Sequence, residues 1–188
     1  IGIVGLGGNG RQLVKVFHPW GVRMVATDYY PVEPPKEVAA LLPADRLDDL
    51  LQQSDIVILT LPLNEDTLGI FDDQRIARMR PGSYLINVAR GAVVREDALV
   101  AALASGHLAG AGVDVTEVEP LPETSRLWDD PKVMISPHVG AQSARRIDDT
   151  TDLAEFNLKR YLSGLEPMNL VDKNLGFPHP SVVWRRNP

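Results

Sequence analysis

The sequence predicts an α/β protein with a doubly wound parallel sheet and helices on both faces. Three observations carry that expectation. Short apolar runs alternate with helically patterned segments along most of the chain, as crossover connections in a parallel sheet require. The first apolar run ends in a glycine cluster, Gly5-Leu6-Gly7-Gly8-Asn9-Gly10. The second run closes on an acid, Asp28.

The elements follow in order. Strands are expected at Ile1–Val4, Arg23–Thr27, Ile56–Leu61, Tyr84–Val88, Gly110–Val113 and Val133–Ile135. Helices are expected at Gly8–Phe17, Leu47–Gln53, Asp72–Arg78, Arg95–Ser105 and Ala141–Ser163. In the fourth helix Ala98, Leu99, Ala102 and Leu103 share one apolar face. Pro81-Gly82 punctuates the entry to the fourth strand. Thr116 to Pro131 is rich in proline and acid and reads as a long loop, a kind of segment that usually serves function or is disordered. Residues 1–163 are read as one domain. Residues 164–188, with four prolines, are read as a tail that starts a return to a second domain. The chain begins inside its first strand without a methionine, which reads as a piece whose N-terminal portion is absent.

Composition excludes several functions. The chain has 188 residues, 44% hydrophobic and 23% charged, which is ordinary for a globular protein. A net charge of −6 disfavours nucleic acid and anionic membrane as partners. No apolar run approaches the ~20 residues of a membrane span. Without cysteine there is no disulfide, thiolate metal site or cysteine nucleophile. That suits a reducing compartment, and the expected location is cytoplasmic. No histidine–acid cluster has metal-ligand spacing, so no metal is expected.

Strand, GxGxxG turn, helix, second strand and terminal acid together form the dinucleotide-binding fingerprint of a Rossmann-type fold. Gly5 permits the tight turn, Gly7 lets a pyrophosphate approach the backbone, and Gly10 lets the helix pack close to the sheet. The helix N-terminus offers free N–H groups and partial positive charge. Open α/β sheets bind ligands beyond the carboxyl ends of their strands, and Arg90, Asp114 and His138 fall there. Guanidinium grips carboxylate with paired hydrogen bonds. Histidine can carry a proton near neutral pH, and a neighbouring carboxylate favours its charged form. Glu119 lies in the long loop with Glu117 two residues away, and spacing alone does not separate a functional acid from a solvated one. The remaining histidines, His18, His107 and His179, read as surface or packing residues.

These segments resemble the cofactor domain of the D-isomer-specific 2-hydroxyacid dehydrogenases. The matching stretches are the glycine turn, Leu61-Pro62-Leu63 through Thr67, and Met79-Arg80-Pro81-Gly82 through Asn87-Val88-Ala89-Arg90-Gly91. They continue with Ala111-Gly112-Val113-Asp114-Val115 through Glu119-Pro120-Leu121-Pro122, and Leu127-Trp128 through Ser136-Pro137-His138-Val139-Gly140. The resemblance implies NAD as cofactor and hydride transfer between a nicotinamide and a 2-keto/D-2-hydroxy acid pair. It implies that Arg90 holds the substrate carboxylate, His138 is the acid/base, Glu119 is its partner, and Asp114 holds the nicotinamide carboxamide. It further implies cofactor contacts from Gly5, Gly7, Gly8, Asn9, Gly10, Asp28, Leu61, Pro62, Thr67, Val88, Ala89, His138 and Gly140. A small-molecule acid as substrate and a homodimeric full-length protein are expected.

Two departures stand out. Asn9 replaces the usual isoleucine, and Ala141-Gln142 replaces a Gly-Ser or Gly-Thr. The C-terminal-binding-protein corepressors share the same arginine, glutamate and histidine, so an NAD-sensing binding protein is the alternative. Formate dehydrogenases resemble the same fold but have glutamine where Glu119 stands.

Overall fold

Seven parallel strands lie in the order β3-β2-β1-β4-β5-β6-β7. They are β1 (Gly2–Val4), β2 (Met24–Asp28), β3 (Val38–Pro43), β4 (Ile56–Leu59), β5 (Ser83–Asn87), β6 (Leu108–Val113) and β7 (Val133–Ile135). The structure is a computed structural model and describes residues 1–30 and 32–183. The chain divides into two compact units, Ile1–His138 and Val139–Pro188.

In the first unit, side chains alternate between the two sheet faces, as the strand period of two demands. Ile3, Met24 and Ala26 pack with Val14 of α1 (Gly8–Phe17). Val4, Val25, Val57, Leu59 and Leu85 face the larger core. That core receives Leu47, Leu50 and Leu51 of α2 (Leu47–Leu51), Ile76 of α3 (Asp73–Ile76) and Ala98, Leu99, Ala102 and Leu103 of α4 (Glu96–Ala104). The result is the doubly wound Rossmann-type architecture, with helices on both faces. The chain reverses its direction of sheet growth between β1 and β4, which places their carboxyl ends at the switch point where such folds bind ligands.

The sequence reading missed β3. Its segment, Val38-Ala39-Ala40-Leu41-Leu42-Pro43, has one β-branched residue, is mostly alanine and leucine, and ends on a proline. It forms a strand because the sheet edge tolerates this: Pro43 pairs with Asp28 at the rim, where a missing N–H costs little. β4 stops at Leu59, so Leu61 lies in the loop beyond it. α2 and α3 are shorter than expected. Asp72 caps α3, accepting from the Arg75 N–H at 2.8 Å, which accounts for the acid pair there.

In the second unit the helix α5 spans Arg146–Leu162, starting five residues later than the sequence pattern suggests. Gly164 follows at φ +73°, and the Leu165 N–H donates to the Arg160 carbonyl at 2.9 Å, a glycine-terminated helix end. Asn157 pairs with both backbone groups of Met168, donating at 3.0 Å and accepting at 2.7 Å. These contacts order the beginning of the proline-rich tail.

Candidate active site

The glycine turn is built from three strand ends. The Gly5 N–H donates to the Thr27 carbonyl at 2.9 Å. The Thr60 hydroxyl, just past β4, donates to the Gly5 carbonyl at 2.6 Å. A Cβ at Gly10 would stand 2.3 Å from the Gly5 oxygen, so only glycine lets α1 approach this closely. At Gly7 and Gly8 a Cβ would meet nothing within 4 Å. The backbone is therefore open on the side where α1 begins. No side chain caps that end, and its first turn holds no acid. Open backbone, an uncapped N-terminus on a ten-residue helix and a nearby acid fit a dinucleotide pyrophosphate and ribose. Asn9 is exposed in the first turn.

Asp28 closes this end of the site. Its Oδ2 accepts from the Leu6 N–H at 2.7 Å and its Oδ1 from the Tyr30 N–H at 3.1 Å. The carboxylate is thus tied both to the glycine turn and to the loop after β2. Arg11 on α1 donates to the Glu33 carbonyl in that same loop at 2.7 Å. The loop that follows Asp28 has no arginine of its own; α1 supplies one from elsewhere in the sequence.

Beyond β4, Leu61 and Pro62 are half-buried. The Thr67 hydroxyl donates to the Pro62 carbonyl and accepts from the Asn64 N–H, each at 2.8 Å, which closes the loop they share. At the end of β5, buried Asn87 accepts from the Ala89 N–H at 3.0 Å and donates to the Arg90 carbonyl at 3.1 Å. This small ring turns Val88 and Ala89 and presents Arg90 outward. The Gly91 Cα lies against the Thr116 carbonyl, where a Cβ would be 1.7 Å from the oxygen. The loop that follows β6 is therefore seated directly on the segment that carries Arg90.

That loop, a strap over residues 114–127, delivers the acids. Asp114 is buried at its root and accepts from the Ser136 hydroxyl at 2.6 Å. The Asp114 carbonyl accepts from the His138 N–H at 2.8 Å. His138 has φ +53°, in the left-handed region, where histidine, asparagine and aspartate are enriched among non-glycine residues. Its Nδ1 lies 2.8 Å from Glu119 Oε2. Glu119 Oε1 accepts from the Thr116 N–H at 3.1 Å, and the Glu119–Pro120 peptide is cis. The hydrogen bond to His138 holds the Glu119 carboxyl below its ordinary value; burial opposes it, and the Thr116 N–H adds a lesser lowering.

The two glutamates separate cleanly. Glu117 points away from His138: its Oε2 accepts from the Glu96 N–H at 2.8 Å and its Oε1 lies 3.5 Å from Arg95 Nε. It caps α4. The sequence reading missed Thr60, Ser136 and Arg11 as supports, because each acts through a partner remote in the chain, and Asn87, whose local ring forms only once the turn after β5 is folded. Asp114, Glu119 and His138 are brought together; Arg90 stands on the neighbouring strand end of the same sheet. Gly140 belongs to the second unit.

A glycine turn joined to an acid, with polar residues gathered at the ends of β5, β6 and β7, defines a dinucleotide-binding α/β domain of the oxidoreductase kind. Residues 1–140 match the model of the D-isomer specific 2-hydroxyacid dehydrogenase NAD-binding domain, and the chain belongs to that family. It is 37% identical to a glyoxylate reductase of Thermofilum pendens over 178 residues, 93% of this chain and 52% of that protein. A D-3-phosphoglycerate dehydrogenase of Mycobacterium tuberculosis is 36% identical over 156 residues, 82% of this chain and 29% of that one. The chain thus spans about half the length of the glyoxylate reductase and less than a third of the phosphoglycerate dehydrogenase. Among solved structures, a D-isomer specific 2-hydroxyacid dehydrogenase from Xanthobacter autotrophicus in complex with NADPH superposes with a TM-score of 0.88. It has 35% identity and covers 94% of this chain and 72% of that one. An NADPH-dependent glyoxylate/hydroxypyruvate reductase from Sinorhizobium meliloti, with NADP, gives 0.85 at 32% identity, over 94% and 56% of the two chains.

Proposed function

We propose that this chain is the cofactor domain of an NAD-dependent dehydrogenase that interconverts a small 2-keto acid and its D-2-hydroxy acid. The observation that carries the reading is the Glu119–His138 contact of 2.8 Å beside Asp114, at the rim where the glycine turn opens. When bound, the nicotinamide supplies or accepts the hydride. The protein does the rest. Arg90 grips the substrate carboxylate and so orients the carbonyl. His138 delivers a proton to the carbonyl oxygen in reduction and takes it back in oxidation. Glu119 fixes the ring by its Nδ1 edge, leaving Nε2 for the substrate. Asp114, Val88 and Ala89 line the nicotinamide end. Leu61, Pro62 and Thr67 line the middle.

NAD is preferred over NADP on this reading, because the Asp28 carboxylate accepts ribose hydroxyls and repels a 2′-phosphate. Residues 1–163 act as the cofactor domain and 164–188 lead into a substrate domain. The full-length protein works in the cytoplasm as a homodimer on small acids. Among the described residues no helix is long and apolar enough to cross a membrane.

The test is a panel of 2-keto acids, glyoxylate and hydroxypyruvate included, assayed with NADH and NADPH on the full-length protein. Turnover of at least one acid, with loss of activity in Arg90 and His138 variants, supports the assignment. Tight NADH binding without turnover of any acid overturns it and favours a cofactor-sensing binding protein.

A further inference from the structure

Glu117 is the acid that the proposed chemistry does not use, yet its contacts are among the most specific in the strap. The strap leaves the sheet at Asp114 and returns to it only at β7. Between them, on the α4 side, lies an open cleft of about 450 Å³ bordered by Arg95, Glu117, Ser125 and Arg126. Leu121 and Leu127 anchor the far end of the strap in the core. Beside the cleft itself, two polar fastenings tie the strap to α4. Glu117 accepts the Glu96 N–H at the start of α4. The Ser125 hydroxyl donates to Glu96 Oε1 at 2.6 Å.

The first fastening is continuous with the site. Thr116, next to Glu117, donates its N–H to Glu119 at 3.1 Å and its hydroxyl to the Val118 carbonyl at 2.8 Å. Its carbonyl rests on Gly91. Residues 116–119 are thus a tight knot with one acid at each end, Glu117 on α4 and Glu119 on His138.

We propose that Glu117 is a positioning residue, anchoring the strap to the N-terminus of α4 so that Glu119 meets His138. This rests on the assignment of Glu119 and His138 as the proton-handling pair. The charged groups facing that pair are each other and Asp114 at the root of the strap. Those facing Glu117 are Arg95, Glu96, Asp97 and Arg126. Arg95 adds attraction, but the acids oppose it, so the Glu96 N–H is the principal hold. Its donor is the backbone at a helix N-terminus, which favours an anionic acceptor.

The experiment is the pH profile of 2-keto acid reduction by the full-length protein. Reduction needs a proton on the ring edge that faces the substrate, and Glu119 holds the opposite edge at Nδ1. Displacing Glu119 should therefore move the alkaline limb of the profile the way Glu119→Gln moves it. Glu117→Ala should shift it by about half a pH unit or more, the direction that Glu119→Gln gives, with kcat lowered several-fold and the KM for NADH unchanged. Glu117→Gln, which keeps an acceptor oxygen for the Glu96 N–H, should restore most of the limb position. A lower melting temperature with an unmoved limb means Glu117 serves stability alone and overturns the proposal. If Glu117→Ala does not fold, Glu117→Asp carries the test: its shorter arm should move the limb the same way, and an unmoved limb overturns the proposal. Should Glu119→Gln shift the limb while the Glu117 variants do not, the pair keeps its assignment and Glu117 loses its own. Should Glu119→Gln leave the limb in place, the assignment of the pair falls and this inference with it.

Discussion

Asp28 shows how much a single carboxylate can decide. Two backbone amides hold it, so its position is set before any ribose arrives. A hydrogen bond to a charged group contributes about 1.5–3 kcal/mol. Asp28→Ser should therefore weaken NAD roughly 10- to 100-fold and narrow the gap to NADP, since the repulsion goes with the charge. Arg11 on α1 bonds the loop that follows Asp28 and supplies a cation. Adding Arg11→Ala to Asp28→Ser should cancel any gain in NADP affinity. Titration of both cofactors against the single and double variants checks this, and NADP binding as tight as NAD in the native protein would refute the preference. Glu119 offers a test of its own. Its folded carboxyl lies below the unfolded value of 4.5, so its stabilising pair is in place above that value and is lost as pH falls through the folded one. Glu119→Gln should thus flatten the acid limb of the melting temperature against pH. Because the pair is well exposed, the effect should be small.

At the scale of elements, the strap and the glycine turn make opposite demands on side-chain volume. Gly10→Ala and Gly91→Ala each force a methyl into a backbone carbonyl. Overpacking costs about 1–3 kcal/mol or more, so both variants should lose melting temperature by several degrees. Gly7→Ala has room within the protein and loses only the glycine preference at a helix cap, up to about 1 kcal/mol. Its methyl stands on the open face of the turn, so NAD affinity should fall far more than stability does. Calorimetry and cofactor titration on the three variants separate the cases; equal stability losses in all three would contradict this reading of the turn.

The same scale explains what the sequence made legible. Six of the seven strands and all the buried helices follow from periodicity, because the core dictates it. β3 escaped because an edge strand has one ladder partner and relaxed packing, so its composition need not look like a strand. The pairing of Glu119 rather than Glu117 with His138 was open to spacing alone. Two acids two residues apart differ only in where a folded strap aims them, and that depends on Gly91, Glu96 and Thr116 from three places in the chain.

For the whole molecule, the sheet gathers Arg90, Asp114 and His138 from adjacent strand ends, while Asp28 lies across the switch point on β2. On the proposed function, one end of the rim serves the nucleotide and the other the reacting carbon. Arg90→Ala in the full-length protein should raise the KM for the keto acid and lower kcat, reducing kcat/KM by roughly 100-fold or more, because the charged grip on the carboxylate is lost. KM for NADH should hardly change, since Arg90 is remote from the glycine turn in the strand order. An increase confined to the NADH KM would reassign Arg90 to the cofactor.

The left-handed backbone at His138 sets a condition on how its role can be measured. Alanine or glutamine at this position removes the imidazole but also places a poorly tolerated residue at φ +53°, at a cost of about 1–2 kcal/mol. That strain falls on the last residue of the first unit, two residues after the Ser136 that holds Asp114. A large drop in rate would then mix lost proton transfer with a disturbed rim. Asparagine accepts this conformation, so His138→Asn is the control that isolates chemistry. It should lower kcat by ~10²–10⁴-fold with the melting temperature preserved, and the difference between it and His138→Ala measures what the backbone alone contributes.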